Sequence, residues 1–343
     1  MNLKSCELQS PRTDLLLAEA LRRLVPTDLW RYPYQQDLVD LLAEEYAVPP
    51  ECVALSAGSN TALGTVVDAL AVPAGRLIVQ DPVFESWLHF ASLRSVPVSR
   101  CRGVETEGRV PRTTVEAFEA ALSSGPPGVA AITNPGNPLG DLVPIDTVRR
   151  LARVAEDNGH ILVIDDCYGA FAGTEHLSLL GEHGNVLVIR SLSKSWGLAG
   201  ARLAATFGSA SLIDYLQRFR MDSPVSAPTL AIAAHLAGRL TELRQVWHEV
   251  AEMRDWFVDQ VRVVRPSWVA LPSTTNFATF LTEGPGGGDR AAAALAVRGI
   301  RVRSVEDMEG LSGCVRISMA GRDAMERVLD GLAAGEDNGA GEP

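Results

Sequence analysis

NVLVIRSLSKSWGLAGARLAATF, residues 185–207, joins an apolar run (186–189), a polar turn holding one lysine (190–194), a small-residue segment and an arginine at position 202. The apolar run has the length and composition of a strand buried on both faces. A lysine set directly behind such a strand, among serines and glycines, is poorly explained by solubility. Lys194 is therefore read as a reactive amine, of the kind that forms a Schiff base with an aldehyde.

The same pattern repeats on both sides of this stretch. Short apolar runs at 52–55, 76–80, 128–132, 161–164 and 202–207 alternate with helical patterns at 61–70, 84–93 and 145–157, after two amphipathic helices at 12–25 and 36–46. Strands of this length separated by helices predict an α/β fold, a mostly parallel sheet covered by helices on both faces. Ligands of such sheets bind at the carboxyl ends of the strands. The residues found there are polar in every case: SAGSN, DPVF, TNPGNP, DDCY and SLSK. From about Thr241 a long helical stretch, a glycine-rich loop and alternating short strands and helices predict a smaller α+β domain. The expected organisation is an N-terminal segment (1–30) packing with the small domain, a large domain (31–240), the small domain (241–334) and a disordered tail (335–343).

Composition sets bounds on function. With 343 residues and 46% hydrophobic content the chain can bury a sizeable core. A net charge of −11 argues against binding a phosphate backbone as the main task, so any anion has to be met by local arginines. The five cysteines, at 6, 52, 101, 167 and 314, lack the spacing of a zinc site or a disulfide framework. With no signal-peptide-like start and no membrane-length apolar run, the expected location is cytoplasmic, with neither nucleic acid nor membrane as partner.

An aldehyde-capturing lysine finds its best-known use with pyridoxal 5'-phosphate, whose ring withdraws electrons from the bound amino acid. Such a site needs a carboxylate at the ring nitrogen, donors to the phenolic oxygen, an aromatic over the ring and a cradle for the phosphate. SLSKSWGLAGAR (191–202) resembles the cofactor-lysine signature of fold type I pyridoxal phosphate enzymes, class I and II aminotransferases, and most closely their histidinol-phosphate aminotransferase branch. RYP, SAGSNTAL, DPVF, NPGNPLG, DDCY, PSTTNF and SGCVRISMAG recur in the family's order, so the resemblance covers nearly the whole chain.

The resemblance implies an aminotransferase acting on an amino acid and a 2-oxo acid, with Lys194 as Schiff-base lysine and proton carrier and Asp165 at the ring nitrogen. It places Tyr168 and Asn137 at the phenolic oxygen and Phe84 over the ring. For the phosphate it implies Gly58, Ser59 and Asn60 opening a helix, with Ser191, Ser193 and Arg202. Tyr32 would reach the phosphate of a neighbouring subunit, which makes the expected unit a homodimer with shared sites. Arg316 would pair with the substrate α-carboxylate and Arg303 with a substrate phosphate. Asp166 is expected to cap the turn after its strand.

The sequence departs from the family in three places. LKSCELQSP stands where the family has a stretch like NENPY, preceded by a segment whose tyrosine helps to hold a substrate phosphate. NPLG replaces the common NPTG, and Thr61 replaces an acidic residue. The cofactor set survives while the substrate set is eroded, so a specialised substrate is expected. A lyase on the same fold, a decarboxylase, eliminase or cyclase, is the alternative, and no metal is expected.

Overall fold

The computed structural model describes residues 1–107 and 110–334, and the disorder expected of residues 335–343 lies outside the described residues. The strands are β1 (Val53–Ser56), β2 (Leu77–Asp81), β3 (Val98–Arg102), β4 (Val104–Glu107), β5 (Val110–Thr113), β6 (Val129–Thr133), β7 (Ile161–Asp165), β8 (Val186–Ser191) and β9 (Ala204–Gly208), followed by β10 (Val269–Ala270), β11 (Phe277–Leu281), β12 (Arg303–Ser304) and β13 (Cys314–Ser318). Seven of them form one sheet in the order β1-β9-β8-β7-β6-β2-β3. β9 runs antiparallel to both its neighbours, and every other pairing is parallel. This is the mostly parallel sheet that the alternation of short apolar runs predicts.

The central strands are apolar because both faces are covered. Ile132, Ile164 and Val188 join Leu42, Phe118 and Leu151 on one side, while Ala131, Val163 and Leu187 meet Val67, Trp87 and Ile213 on the other. Burial of each large side chain contributes about 1.5–3 kcal/mol. β3 escapes a reading of apolar runs because it lies at the sheet edge and is largely accessible along its length. The hairpin β4–β5 is likewise a small two-stranded unit with alternating polar residues.

The second sheet is antiparallel, β10-β11-β13-β12, and packs Phe280 against Phe257 and Trp268. A 25-residue helix, Leu240–Val264, supplies Phe257 to this core. The first eight residues belong here too: Leu3 and Leu8 lie in the same cluster, and Leu3 N donates to Arg301 O at 2.8 Å while its carbonyl accepts from Ser318 N at 3.0 Å. This strap is pinned again by Cys6 N on Ser318 Oγ (3.0 Å) and Asn276 Nδ2 on Cys6 O (2.9 Å). No helix among the described residues is long and apolar enough to cross a membrane.

Beneath the ends of β6–β8 runs a buried polar chain. Asp166 accepts from Arg190 Nε at 2.7 Å, from His176 Nδ1 at 3.0 Å and from Thr174 Oγ1 at 2.9 Å. His176 Nε2 lies 2.9 Å from Asn134 Nδ2, and the Asn134 side chain exchanges two 2.9 Å bonds with the Val143 backbone. Asp166 is thus no helix cap: the short helix that follows, Gly169–Ala172, has no side-chain cap bond. Burial alone would push this carboxyl up, but Arg190 and His176 outweigh it and hold it below the usual carboxylate range. The chain hangs the turn after β6 on the strand beside it.

Removing Asp166 leaves the Arg190 guanidinium, 14% exposed, without its carboxylate. Breaking such a buried pair from one side costs about 3–5 kcal/mol. Urea unfolding of Asp166→Ala should show a loss of this size, with part recovered in Asp166→Ala/Arg190→Met. A loss below about 1 kcal/mol contradicts the role given to this chain.

Candidate active site

One cavity of about 460 Å³ opens at the carboxyl ends of β6, β7 and β8, between the large sheet and the small one. Asp165 ends β7 and Ser191 ends β8; parallel neighbours in register bring both to the same rim. Lys194 follows within a single helical turn, Leu192–Ser195. Its Nζ donates to the backbone carbonyl of Ser5 at 2.5 Å.

Asp165 is 3% exposed, and its Oδ1 is buried without a hydrogen-bond partner. Burial pushes its carboxyl up to about 6; donation from the Cys167 thiol and backbone opposes this, the Asp166 charge adds to it, and Lys194 lowers it. An orphaned buried acceptor of this kind fits a protonated heterocyclic nitrogen. The Cys167 thiol itself is pushed well above its ordinary value by burial.

Asn137 reaches the cavity on the turn suspended from Asn134. Its Nδ2 donates to Tyr168 Oη at 3.1 Å, and its Oδ1 accepts from Arg316 Nη1 at 2.5 Å. The phenol of Tyr168 stacks edge-on to Phe277, with centroids 5.2 Å apart, and burial raises its pKa well above the ordinary value. It therefore remains a protonated donor. The turn is also tied to the small sheet: Gly140 O accepts from Thr274 N at 2.8 Å, and Pro138 O accepts from Thr279 Oγ1. Because Thr279 pairs with Arg316 across β11 and β13, this anchor sets Arg316 beside Asn137.

Arg316 lies with its guanidinium 5.1 Å from the Phe277 ring centroid and also donates from Nη2 to Lys4 O. Its Nε is buried and has no partner. These bonds use two of the five N–H groups of a planar fork, and the remainder fit a carboxylate.

The anion cradle is built on close approach. Gly58 has a φ of +82° and precedes the helix Ser59–Val66, and a Cβ there would stand 2.3 Å from Arg202 Nη2. Arg202 itself adopts a left-handed φ of 56°, a strain that functional sites concentrate. Its Nη1 donates to Ala199 O at 3.0 Å and Ser193 Oγ at 3.3 Å. The guanidinium, two serines and the helix N-terminus with Ser59 and Asn60 could hold a phosphate. Phe84, 40% exposed, lines the opposite wall. The unpartnered Asp165 Oδ1, the Asn137–Tyr168 pair and the Arg202 cradle suit the ring nitrogen, phenolic oxygen and phosphate of pyridoxal phosphate. Among the described residues no cluster of side chains could hold a metal ion.

The sequence-predicted residues converge on this cavity with three qualifications. Gly58 does not line it but stands behind Arg202, which does. Tyr32 does not line it; it is 95% exposed on another surface. Arg303 lines it but is engaged, donating to Glu85 at 3.1 Å with Asp307 at 3.9 Å. The lining residues outside the predicted set include Lys4, Ser5 and Glu7 of the N-terminal strap. A signal for one existed: Lys4 and Lys194 are the only lysines in the chain, against 29 arginines.

A profile of the family Aminotransferase class I and II matches residues 18–332. The histidinol-phosphate aminotransferase of Geotalea uraniireducens is 29% identical over 317 residues, 92% of this chain and 86% of the relative. That of Syntrophotalea carbinolica is 31% identical over 291 residues, 84% and 78% of the two chains. Among solved structures, the Sinorhizobium meliloti histidinol-phosphate aminotransferase in complex with pyridoxal-5'-phosphate superposes with a TM-score of 0.82, at 21% identity, over 98% of this chain and 91% of that one. The L-threonine-O-3-phosphate decarboxylase of Porphyromonas gingivalis shares the fold with a TM-score of 0.80 at 16% identity, over 98% and 99% of the chains.

Asp165 gives the site a pH signature. The folded state holds this proton more tightly than an unfolded chain does, so the group's contribution to stability is lost as pH rises from about 4 through about 6. In the cofactor-free protein, Asp165→Asn should flatten that decline and gain on the order of 1–3 kcal/mol at about pH 7. Denaturant unfolding across this range measures it. Identical pH slopes for the two proteins contradict the account of Asp165.

Proposed function

The chain belongs to the class I and II aminotransferase family, and from that premise we propose how its residues divide the work of a pyridoxal phosphate-dependent aminotransferase. The observation that carries the assignment is the pairing of Lys194 with Asp165, whose Oδ1 is unpartnered, in one cavity between two sheets. When bound, the cofactor supplies an aldehyde that captures the amino group and a ring that takes up the electron pair left at Cα.

Asp165, with its unpartnered Oδ1, would accept from the ring nitrogen and keep it protonated. Asn137 Nδ2 and Tyr168 Oη donate to the phenolic oxygen. Gly58, Ser59, Asn60, Ser191, Ser193 and Arg202 would hold the phosphate, and Phe84 would cover the ring. Arg316 binds the α-carboxylate in a bidentate manner, which fixes the orientation of the bonds at Cα. Lys194 Nζ removes the proton at Cα and returns one after the electrons have shifted, which requires that it leave the Ser5 carbonyl. The small-molecule partners are an α-amino acid and a 2-oxo acid.

In domain terms, residues 31–240 form the cofactor-binding unit and 241–334 the smaller unit that presents Arg316; of the N-terminal segment expected to pack on the latter, only the first eight residues do so, while the helix Pro11–Arg22 lies mainly against the helix Ala227–Ala237 and puts Leu16 in the large-domain core. The active unit is a homodimer. Tyr32 and its neighbours Leu29 (80% exposed) and Trp30 (67%) make an apolar surface that a second copy would cover, which carries Tyr32 to the partner's phosphate. Location in the cytoplasm accords with this chemistry.

Amino acids added to the loaded protein without any oxo acid should convert the cofactor once per site to its amine form, and a 2-oxo acid should restore it. Sustained release of carbon dioxide or ammonia instead assigns a lyase. For the dimer, Tyr32→Phe and Lys194→Ala proteins mixed under conditions of subunit exchange should exceed the sum of their separate activities, since one site of each hybrid is intact. No gain despite demonstrated exchange contradicts the shared site.

A further inference from the structure

The chain places both of its lysines on the same cavity. Elsewhere it meets every demand for a cation with arginine, including exposed pairs such as Arg12–Glu249, Arg94–Asp68 and Arg150–Glu119, where an ammonium would serve as well. A lysine at position 4 is therefore no sample of the chain's surface composition.

The strap fixes where this residue stands. Lys4 O accepts from Arg316, Lys4 N donates to Asn2 Oδ1 at 3.3 Å, and the flanking residues Leu3 and Cys6 are bound to Arg301 and Ser318. The backbone is held, and Lys4 lines the cavity as an exposed residue that forms no ion pair among the described residues. Of the cavity's other charges, Arg303 is neutralised by Glu85 and Asp307, and Glu7 accepts from Asn2 Nδ2 at 3.4 Å. Arg316 is committed to the α-carboxylate in the reading above. Lys194 and Arg202 are committed to the cofactor in the same reading, so among the cavity's cations Lys4 alone has no assigned partner, with the Glu7 carboxylate also on the lining.

We propose that Lys4 determines substrate specificity by binding an anionic group, phosphate or carboxylate, at the far end of the amino acid side chain. An ammonium on a four-carbon stem offers three donors in any direction, so it can follow a tetrahedral or a planar anion from a backbone that does not move. The inference rests on the aminotransferase reading for the placing of the α-carboxylate on Arg316.

Deaminated analogues bind without reacting and so separate the two ideas. Calorimetry on the cofactor-loaded full chain compares 3-phosphoglycerate with glycerate, and glutarate with glutaramate. Wild type should prefer at least one anionic probe over its neutral counterpart by about tenfold or more. Lys4→Ala should weaken that probe by roughly 10- to 100-fold and leave the neutral one within about twofold, while Lys4→Arg retains most of the preference. Lys4→Gln repeats the measurement should Lys4→Ala lose the bound cofactor's absorption. The proposal is overturned by a wild type without preference, or by a Lys4→Ala loss shared equally between anionic and neutral probes. If the Lys4-dependent preference holds while no amino acid undergoes transamination, the reaction assignment falls and the role of Lys4 stands.

Discussion

A carboxylate buried with one oxygen unsatisfied is an expensive arrangement, and Asp165 is held in it by the whole of the large sheet. Its position at the end of β7, its removal from water by the layers on both faces, and the neighbouring Asp166 charge all oppose its ionisation. Asp166, one residue on and equally buried, shows the contrast: it has Arg190 and His176, and it is held ionised. Two adjacent carboxylates are thus driven in opposite directions by their partners. One is paired within the chain, and the other keeps an oxygen without a partner, which a pyridinium nitrogen would satisfy in the proposed reading.

The remaining parts of the site follow from bringing a second sheet against the first. Asn137 is suspended from Asn134 on the large sheet and clamped by Thr274 and Thr279 from the small one. Its amide joins Tyr168 to Arg316, so a group on the cofactor side and a group on the substrate side share one hydrogen-bonded link. The strap completes the enclosure. Its Lys4 and Ser5 carbonyls accept from Arg316 and Lys194.

Much of this was legible in the sequence because parallel strands buried on both faces write themselves as apolar runs, and the residues after them fall on one rim. Asp165, Tyr168, Ser191 and Lys194 stand at or just after the ends of those runs, and the family resemblance implies their roles. Edge strand β3 was not legible, since it carries no continuous apolar run. The pairing of Arg303 with Glu85 spans 218 residues, and that of Arg316 with Lys4 spans 312; neither leaves a local trace. Asp166 read as a cap because its true partners, Arg190 and His176, come from a neighbouring strand and a following turn. The strap was read as a departure from a family motif, although its lone lysine already marked it.

The central claim is that Lys194 is the amine that captures the cofactor. A chain with two lysines permits a clean test, because borohydride reduction of the loaded protein, digestion and mass mapping can place the adduct on one of very few amines. The account predicts a single reduced adduct on Lys194. An adduct on Lys4 or on the N-terminal amine with Lys194 unmodified, or no adduct in protein that retains the cofactor, contradicts it.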